Sequence, residues 1–146
     1  MRVKQKLFGS YSSYRKFLFI FDNSDESWIS KLGGYSHVSI AEYINGELVC
    51  FDPLIGHAFI YPVMPALLLT KTVLEVKVKY KHKNRLIRFG IQSCSTIVQY
   101  MAGISLGALT AEGLYRALTE RDTAYLESKG IIEVKPWADG CCQSLD

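Results

Sequence analysis

The sequence predicts one α+β domain, in which a central antiparallel sheet packs against the helices that follow it in the chain. Its length of 146 residues and hydrophobic content of 49% suit a single sizeable core. Runs typical of strands dominate the chain up to residue 80, whereas helical spacing dominates after residue 92. No internal repeat or low-complexity linker divides the chain into smaller units.

The sheet is predicted from five runs that are rich in apolar, aromatic or β-branched residues and bounded by turn residues. The most specific signal is the dipeptide Asn45-Gly46, which is typical of the type I′ turn of a β-hairpin. The expected strands are Phe17–Phe21, Tyr35–Ile44, Glu47–Asp52, Gly56–Val63 and Thr72–Tyr80.

A helix is predicted to begin at Cys94, because Ser93 is placed to cap its first turn and Gly103 lies near its end. Its expected apolar stripe consists of Ile97, Val98, Met101 and Ala102. Three further helices and a last strand are expected over Trp28–Leu32, Thr110–Leu118, Arg121–Lys129 and Ile131–Val134. The domain should span residues 1–146, with a core over about 17–135 and a loosely held tail over 136–146.

Composition excludes some classes of protein. The net charge of +3 comes from 17 Lys and Arg residues against 14 Asp and Glu, an excess too mild to indicate a specific nucleic-acid binder. The basic run Lys77–Lys83 alternates with apolar residues, as the solvated face of a strand does. The most apolar stretch, Ala58–Leu69, is interrupted by two prolines and is shorter than the ~20 residues of a membrane helix.

The N-terminus indicates the compartment in which the protein is made. No apolar segment of signal-peptide type follows the first charged residues, so we expect a protein that is cytoplasmic at synthesis. Reduced thiols are expected there, and no cofactor or metal is indicated. The four cysteines are Cys50, Cys94, Cys141 and Cys142.

Cys94 is the candidate nucleophile. The unpaired N–H groups at a helix N-terminus favour a thiolate, which is the form of cysteine that attacks carbonyl carbon. The same N–H groups can stabilise the oxyanion that results from the attack. The alternative is that Cys94 is a small buried hydrophobic residue, which is the commoner role of a lone cysteine in an apolar helix.

A base must reach the thiol, and the chain offers three histidines. His37, at the head of a predicted strand, is the best candidate because a strand holds an imidazole in a fixed place; the alternative is an ordinary histidine at the sheet edge. His82 lies in the basic run and is expected to be solvated. His57 follows a glycine in a predicted turn and is the reserve base.

Two polar residues are candidates for the remaining roles. Asp52 is the best acceptor for the second ring nitrogen of the base. It precedes Pro53, however, and Asp-Pro is also a common turn element. Gln92, two residues before the cysteine, can donate its amide to the oxyanion, or it is a solvent-facing loop residue.

Four segments together resemble the circularly permuted branch of the NlpC/P60 papain-like superfamily, in which the histidine strand precedes the cysteine helix. They are Trp28–Leu32, Ser36–Ile40, Gln92–Val98 and Leu109–Leu118. The resemblance implies a papain-like α+β core, with Cys94 as nucleophile and His37 as base acting on an amide, isopeptide or ester. Many relatives carry a Glu at about the position of Cys50, and this sequence has no acid there; Asp52, a backbone group or water would then take its role.

Three functional hypotheses follow. The first is a cysteine hydrolase or acyltransferase acting on a peptide, peptidoglycan or acyl-bearing substrate. The second is a catalytically inactive binding or virion-associated structural module, since the sequence also resembles small bacteriophage-encoded proteins. The third is a zinc site, which lacks any short paired spacing of the Cys-x-x-Cys kind. Its ligands would be Cys50, Cys94, His37 and His57.

Overall fold

Six strands form one antiparallel sheet in the computed structural model of the chain, which describes residues 14–23, 34–54, 57–79 and 93–137. The order of the strands across the sheet is β4-β3-β2-β1-β5-β6. The predicted α+β class and antiparallel sheet are therefore confirmed. The strands are β1 (Tyr14–Asp22), β2 (His37–Ile44), β3 (Glu47–Leu54), β4 (His57–Pro62), β5 (Thr72–Lys79) and β6 (Ile131–Pro136).

Three α-helices lie between β5 and β6 in the described part of the chain: α1 (Cys94–Ala102), α2 (Ala111–Glu120) and α3 (Thr123–Ser128). The predicted ends of α1 are confirmed, because Ser93 caps its start and Gly103 ends it in the left-handed conformation, with φ of 73°. A short 3₁₀ helix over Pro65–Leu68 connects β4 to β5. The predicted helix at Trp28–Leu32 lies outside the described residues.

The β2–β3 hairpin has the turn that the sequence predicts. Asn45 and Gly46 both adopt positive φ, of 52° and 81°, as a type I′ turn requires. The turn fixes the register in which Ala41 pairs with Cys50 and Ile40 with Phe51. Because side chains alternate between the faces of a strand, this register also decides which residues of β3 lie beside His37.

Apolar side chains cover both faces of the sheet, which explains the continuous apolar run in β1. On one face, Phe19 and Phe21 pack with Val98 of α1 and Leu114 of α2. The opposite face carries a smaller cluster in which the sheet packs against the 3₁₀ helix and the residue after β6. Its buried members are Leu18, Ile20, Ala41, Leu48, Cys50, Leu68, Val73 and Trp137.

The C-terminal boundary differs from the prediction. Pro136, expected to start a loosely held tail, is the last residue of β6, and Trp137 is only 7% exposed. The Trp137 N–H donates to the carbonyl of Val73 at 3.0 Å, so the strand pairing continues past the predicted end. A lone tryptophan after a proline shows no periodicity, so the pattern does not indicate that Pro136 and Trp137 are paired. The rest of the predicted tail lies outside the described residues.

The apolar stretch Ala58–Leu69 forms most of β4 and the 3₁₀ helix. All six residues of β4 are exposed, as befits an edge strand. Within the described ranges, no helix has the length and apolar character needed to cross a membrane.

Replacing Leu114 by alanine tests the packing of α2 on the sheet. Leu114 is fully buried, so we expect Leu114→Ala to lower the free energy of unfolding by about 2–5 kcal/mol. The control is Leu109→Ala at an exposed position, which should change it by less than about 0.5 kcal/mol. Urea unfolding followed by circular dichroism measures both, and equal small effects would contradict the packing described.

Candidate active site

Cys94 is the first residue of α1, directly after the cap. The Thr96 N–H donates to the Ser93 hydroxyl at 3.2 Å, and the Ser93 N–H donates to the Thr96 hydroxyl at 2.8 Å. This reciprocal capping box fixes the first turn. The N–H of Cys94 belongs to the group at a helix start that has no acceptor within the helix, and it is therefore suited to an anion.

The thiol of Cys94 and the imidazole of His37 lie against each other, and a hydrogen-bonding interaction between them shifts the pKa of each group. His37 is the first residue of β2, and α1 packs on β2 and β3 so that the helix start meets the strand start. The backbone N–H groups of Val38 and Ser95 also lie near the sulfur and lower the pKa of the thiol. A half-buried thiol with three donors around it is well placed to carry negative charge.

Asp52 lies on the other side of the His37 ring. Its Oδ1 is 2.5 Å from His37 Nε2, and both side chains are largely shielded from solvent. Since Nε2 faces the carboxylate, Nδ1 is the ring nitrogen that remains for the Cys94 thiol. The structure thus brings together the three residues expected at the site, in the chain order His37, Asp52, Cys94.

The pKa values of the thiol and the imidazole shift in opposite directions. For Cys94, burial by itself raises the pKa, but the hydrogen bond from His37, the Val38 N–H, the charge of His37 and the Ser95 N–H together bring it below its ordinary value. For His37, the hydrogen bond with Cys94 raises the pKa to about 9, against the opposing effect of burial and with the help of Asp52. These directions favour a thiolate–imidazolium pair at neutral pH.

Cys50 provides an internal contrast to Cys94. It lies on β3, is only 2% exposed, and burial raises its pKa. The two thiols therefore belong to different chemical environments, and only that of Cys94 favours the anion. β3 thus carries a buried thiol at Cys50 and, two residues later, the carboxylate of Asp52.

Sequence reasoning missed a buried polar cluster beneath the cysteine. Gln99 is 4% exposed, and its amide donates to the Ala108 carbonyl at 2.7 Å and accepts from the Leu106 N–H at 2.9 Å. The Ser95 hydroxyl donates to the same Ala108 carbonyl at 2.9 Å. The loop after α1 is thereby tied to the first turn, which holds Cys94 in place.

This cluster corrects the predicted apolar stripe of α1. Met101, expected to be buried, is 43% exposed, and the buried residues include Ser95 and Gln99 instead of a purely apolar set. The reason is that loop carbonyls satisfy these polar groups, so burying them costs little. The polar character of Ser95 and Gln99 does not indicate in the sequence that they are buried.

A second missed residue, Glu112, holds the chain just before β2. The Tyr35 N–H donates to Glu112 Oε1 at 2.9 Å, and Arg116 Nε donates to Oε2 at 3.0 Å. The Tyr35 ring packs against the rings of Phe21 and Tyr115. Tyr35 is two residues before His37, so these contacts fix the position at which the chain enters β2.

The remaining candidates have other environments or lie outside the described residues. The ring of His57 packs edge-on against Phe59 at the start of β4. Gln92 and His82 are not among the described residues. In the part of the chain that the structure describes, no group of three or more His, Cys, Asp or Glu side chains can hold a metal ion, so the four residues of the zinc hypothesis do not form such a site.

A cavity of about 640 Å³ lies beside α2. It is lined by the loop from Leu106 to Thr110 and by the outer side of α2, including Arg116 and Glu120. Cys94, His37 and Asp52 are not part of its lining, so the cavity is separate from the site described above.

Comparisons of the chain with protein-family models, with curated proteins and with solved structures found no match. We therefore infer the function from the geometry and the electrostatics of His37, Asp52 and Cys94.

The pH dependence of alkylation tests the lowered pKa of Cys94. With iodoacetamide, we expect labelling of Cys94 to persist at pH values well below the ordinary thiol pKa of about 8.5, because the thiolate is already formed there. The rate should change again near pH 9, where His37 loses its proton.

Peptide mapping by mass spectrometry separates the thiols, and buried Cys50 is the internal control that should stay nearly unlabelled in the folded protein. A Cys94 labelling rate that rises only around the ordinary thiol pKa would contradict the ion pair.

Proposed function

We propose that this protein is a cysteine hydrolase or acyltransferase of the papain-like type, acting on an amide, isopeptide or ester. The observation that carries the proposal is the placement of Cys94 at a helix start beside His37, whose ring is held by Asp52, so that the pKa of the thiol falls and that of the imidazole rises. Such a pair supplies a nucleophile and a proton donor at the same place, as acyl transfer requires.

Acylation begins when the Cys94 thiolate attacks the carbonyl carbon of the substrate. A C–S bond forms, and the carbonyl π electrons move onto oxygen. The N–H of Cys94 at the start of α1 donates to this oxyanion, and Gln92 is proposed as a second donor. The intermediate collapses with cleavage of the bond to the leaving amine or alcohol, which takes the proton from His37 Nδ1.

Deacylation releases the acyl group from the thioester. His37, now neutral, takes a proton from water or from an acceptor amine or alcohol, which attacks the thioester carbonyl. The C–S bond breaks, and the thiolate is restored beside the imidazolium. Water gives hydrolysis and another acceptor gives transfer.

Asp52 keeps the imidazole in the orientation that this cycle needs. Its Oδ1 accepts from His37 Nε2, which directs Nδ1 to the sulfur, and its negative charge stabilises the imidazolium. We propose that Asp52 takes the place of the acid that relatives often carry two residues earlier.

The arrangement of elements supports a papain-like fold in the permuted order. The helix that begins at Cys94 packs on β2 and β3, which carry the histidine and the acid, and it follows both strands in the chain. We propose a peptide, peptidoglycan or other acyl-bearing substrate, with synthesis in the cytoplasm.

Acylation by p-nitrophenyl acetate tests the proposed function. We expect an acetyl adduct on Cys94 by intact-mass and peptide mass spectrometry, and Cys94→Ala should abolish it. His37→Gln should slow p-nitrophenol release by roughly 10²–10⁴-fold, since it removes the base and the proton donor. The control is the matched change His57→Gln, which should leave the rate unaltered.

The rate of p-nitrophenol release should show a bell-shaped dependence on pH. It falls at low pH as the Cys94 thiolate is protonated, and it falls at high pH as His37 loses its proton near pH 9. No adduct on Cys94, or an equal rate in Cys94→Ala, would point to a noncatalytic module.

A further inference from the structure

Asp52 has a second partner besides His37. The hydroxyl of Tyr61 on β4 points to its Oδ2 with an O···O distance of 3.5 Å, which is longer than the roughly 3.0 Å limit of an ordinary O–H···O bond. Tyr61 pairs with Cys50 in the β3–β4 register, so its side chain shares the face of β3 that carries Asp52. One oxygen of the carboxylate thus faces the histidine and the other faces the tyrosine.

The residue after Asp52 offers its side chain no backbone donor. An aspartate side chain often accepts from the backbone N–H groups that follow it. The next residue here is Pro53, which has no N–H. A hydroxyl reaching across from β4 supplies a donor that the adjoining backbone position lacks.

The Tyr61 hydroxyl is suited to remain a donor. Although the side chain of Tyr61 is 39% exposed, desolvation of its hydroxyl raises the pKa, and the neighbouring Cys50 and the negative charge of Asp52 raise it further, so the phenol is protonated at neutral pH. Ser39 of β2 lies beside Cys50 and lowers the pKa of its thiol, against the larger effect of burial. The hydroxyl therefore lies over β3, next to the strand that carries His37.

We propose that Tyr61 is a positioning residue of the active site: its hydroxyl fixes the Asp52 carboxylate so that Oδ1 meets His37 Nε2. The inference rests on the proposed function of the Cys94–His37 pair. Without the hydroxyl, the carboxylate can turn about its own bond, and the hydrogen bond to the imidazolium weakens. The tyrosine does not touch the reacting atoms, so it acts only through Asp52.

Tyr61→Phe is the test, because it removes only the hydroxyl. NMR titration of the His37 imidazole should show a midpoint lower by about half to one pH unit, the size expected for the weakening of one hydrogen bond to a charged group. The high-pH fall in p-nitrophenyl acetate turnover should move down by the same amount. The matched control is Tyr125→Phe on α3, which should leave both midpoints where they were.

A double-mutant cycle separates positioning from a general loss of structure. In an Asp52→Asn background, adding Tyr61→Phe should produce no further shift of the His37 midpoint. An unchanged midpoint in Tyr61→Phe overturns the inference, and so does a shift of equal size with and without Asp52. Urea unfolding checks that each variant is folded before its titration is compared.

The outcomes distinguish this inference from the proposed function. If Cys94 forms no acetyl adduct but Tyr61→Phe still lowers the His37 midpoint through Asp52, the proposed catalytic function is wrong and the positioning role of Tyr61 stands. If the adduct forms and Tyr61→Phe leaves the midpoint unchanged, the function stands and Tyr61 has no positioning role.

Discussion

The arrangement of the site depends on the contact between the Cys94 thiol and the His37 imidazole, each of which shifts the pKa of the other. The contact lies where the start of α1 meets the start of β2, so that the free N–H groups of the helix face a ring carried by a strand. The thiol is thereby favoured as an anion and the imidazole as a cation. The polar cluster under Cys94 holds the start of α1 in place, and the contacts of Tyr35 hold the start of β2.

The β2–β3 hairpin imposes the second constraint. Asn45 and Gly46 fix its register, and that register puts Asp52 on the face of β3 that lies beside His37. A slip by one residue would move Asp52 to the opposite face and leave the imidazole without its acceptor. The turn at one end of the hairpin thereby determines, through the alternation of side chains along β3, that Asp52 lies beside His37 at the other end.

Local features were predictable from the sequence, and distant partnerships were not. The Ser93 cap, the Asn45-Gly46 turn and the strand runs depend on neighbouring residues, and the structure has them where the patterns indicate. Residue type, the place of His37 at the head of a strand and the resemblance make His37 and Asp52 candidates, but only the fold puts them together. Gln99 is buried because its amide bonds to a carbonyl of a later loop, and Tyr61 lies beside Asp52 because of strand pairing. Neither contact can be predicted from neighbouring residues in the sequence.

The central claim is that the resting site holds a thiolate beside an imidazolium, and the ultraviolet absorbance of the thiolate tests it most directly. The difference spectrum between the native protein and Cys94→Ser, recorded across a pH series, isolates this one group. We expect the thiolate band to be present at about pH 7, below the ordinary thiol pKa, and to vanish only as the solution is made acidic. A band that is absent at neutral pH and grows in only around the ordinary thiol pKa would contradict the account.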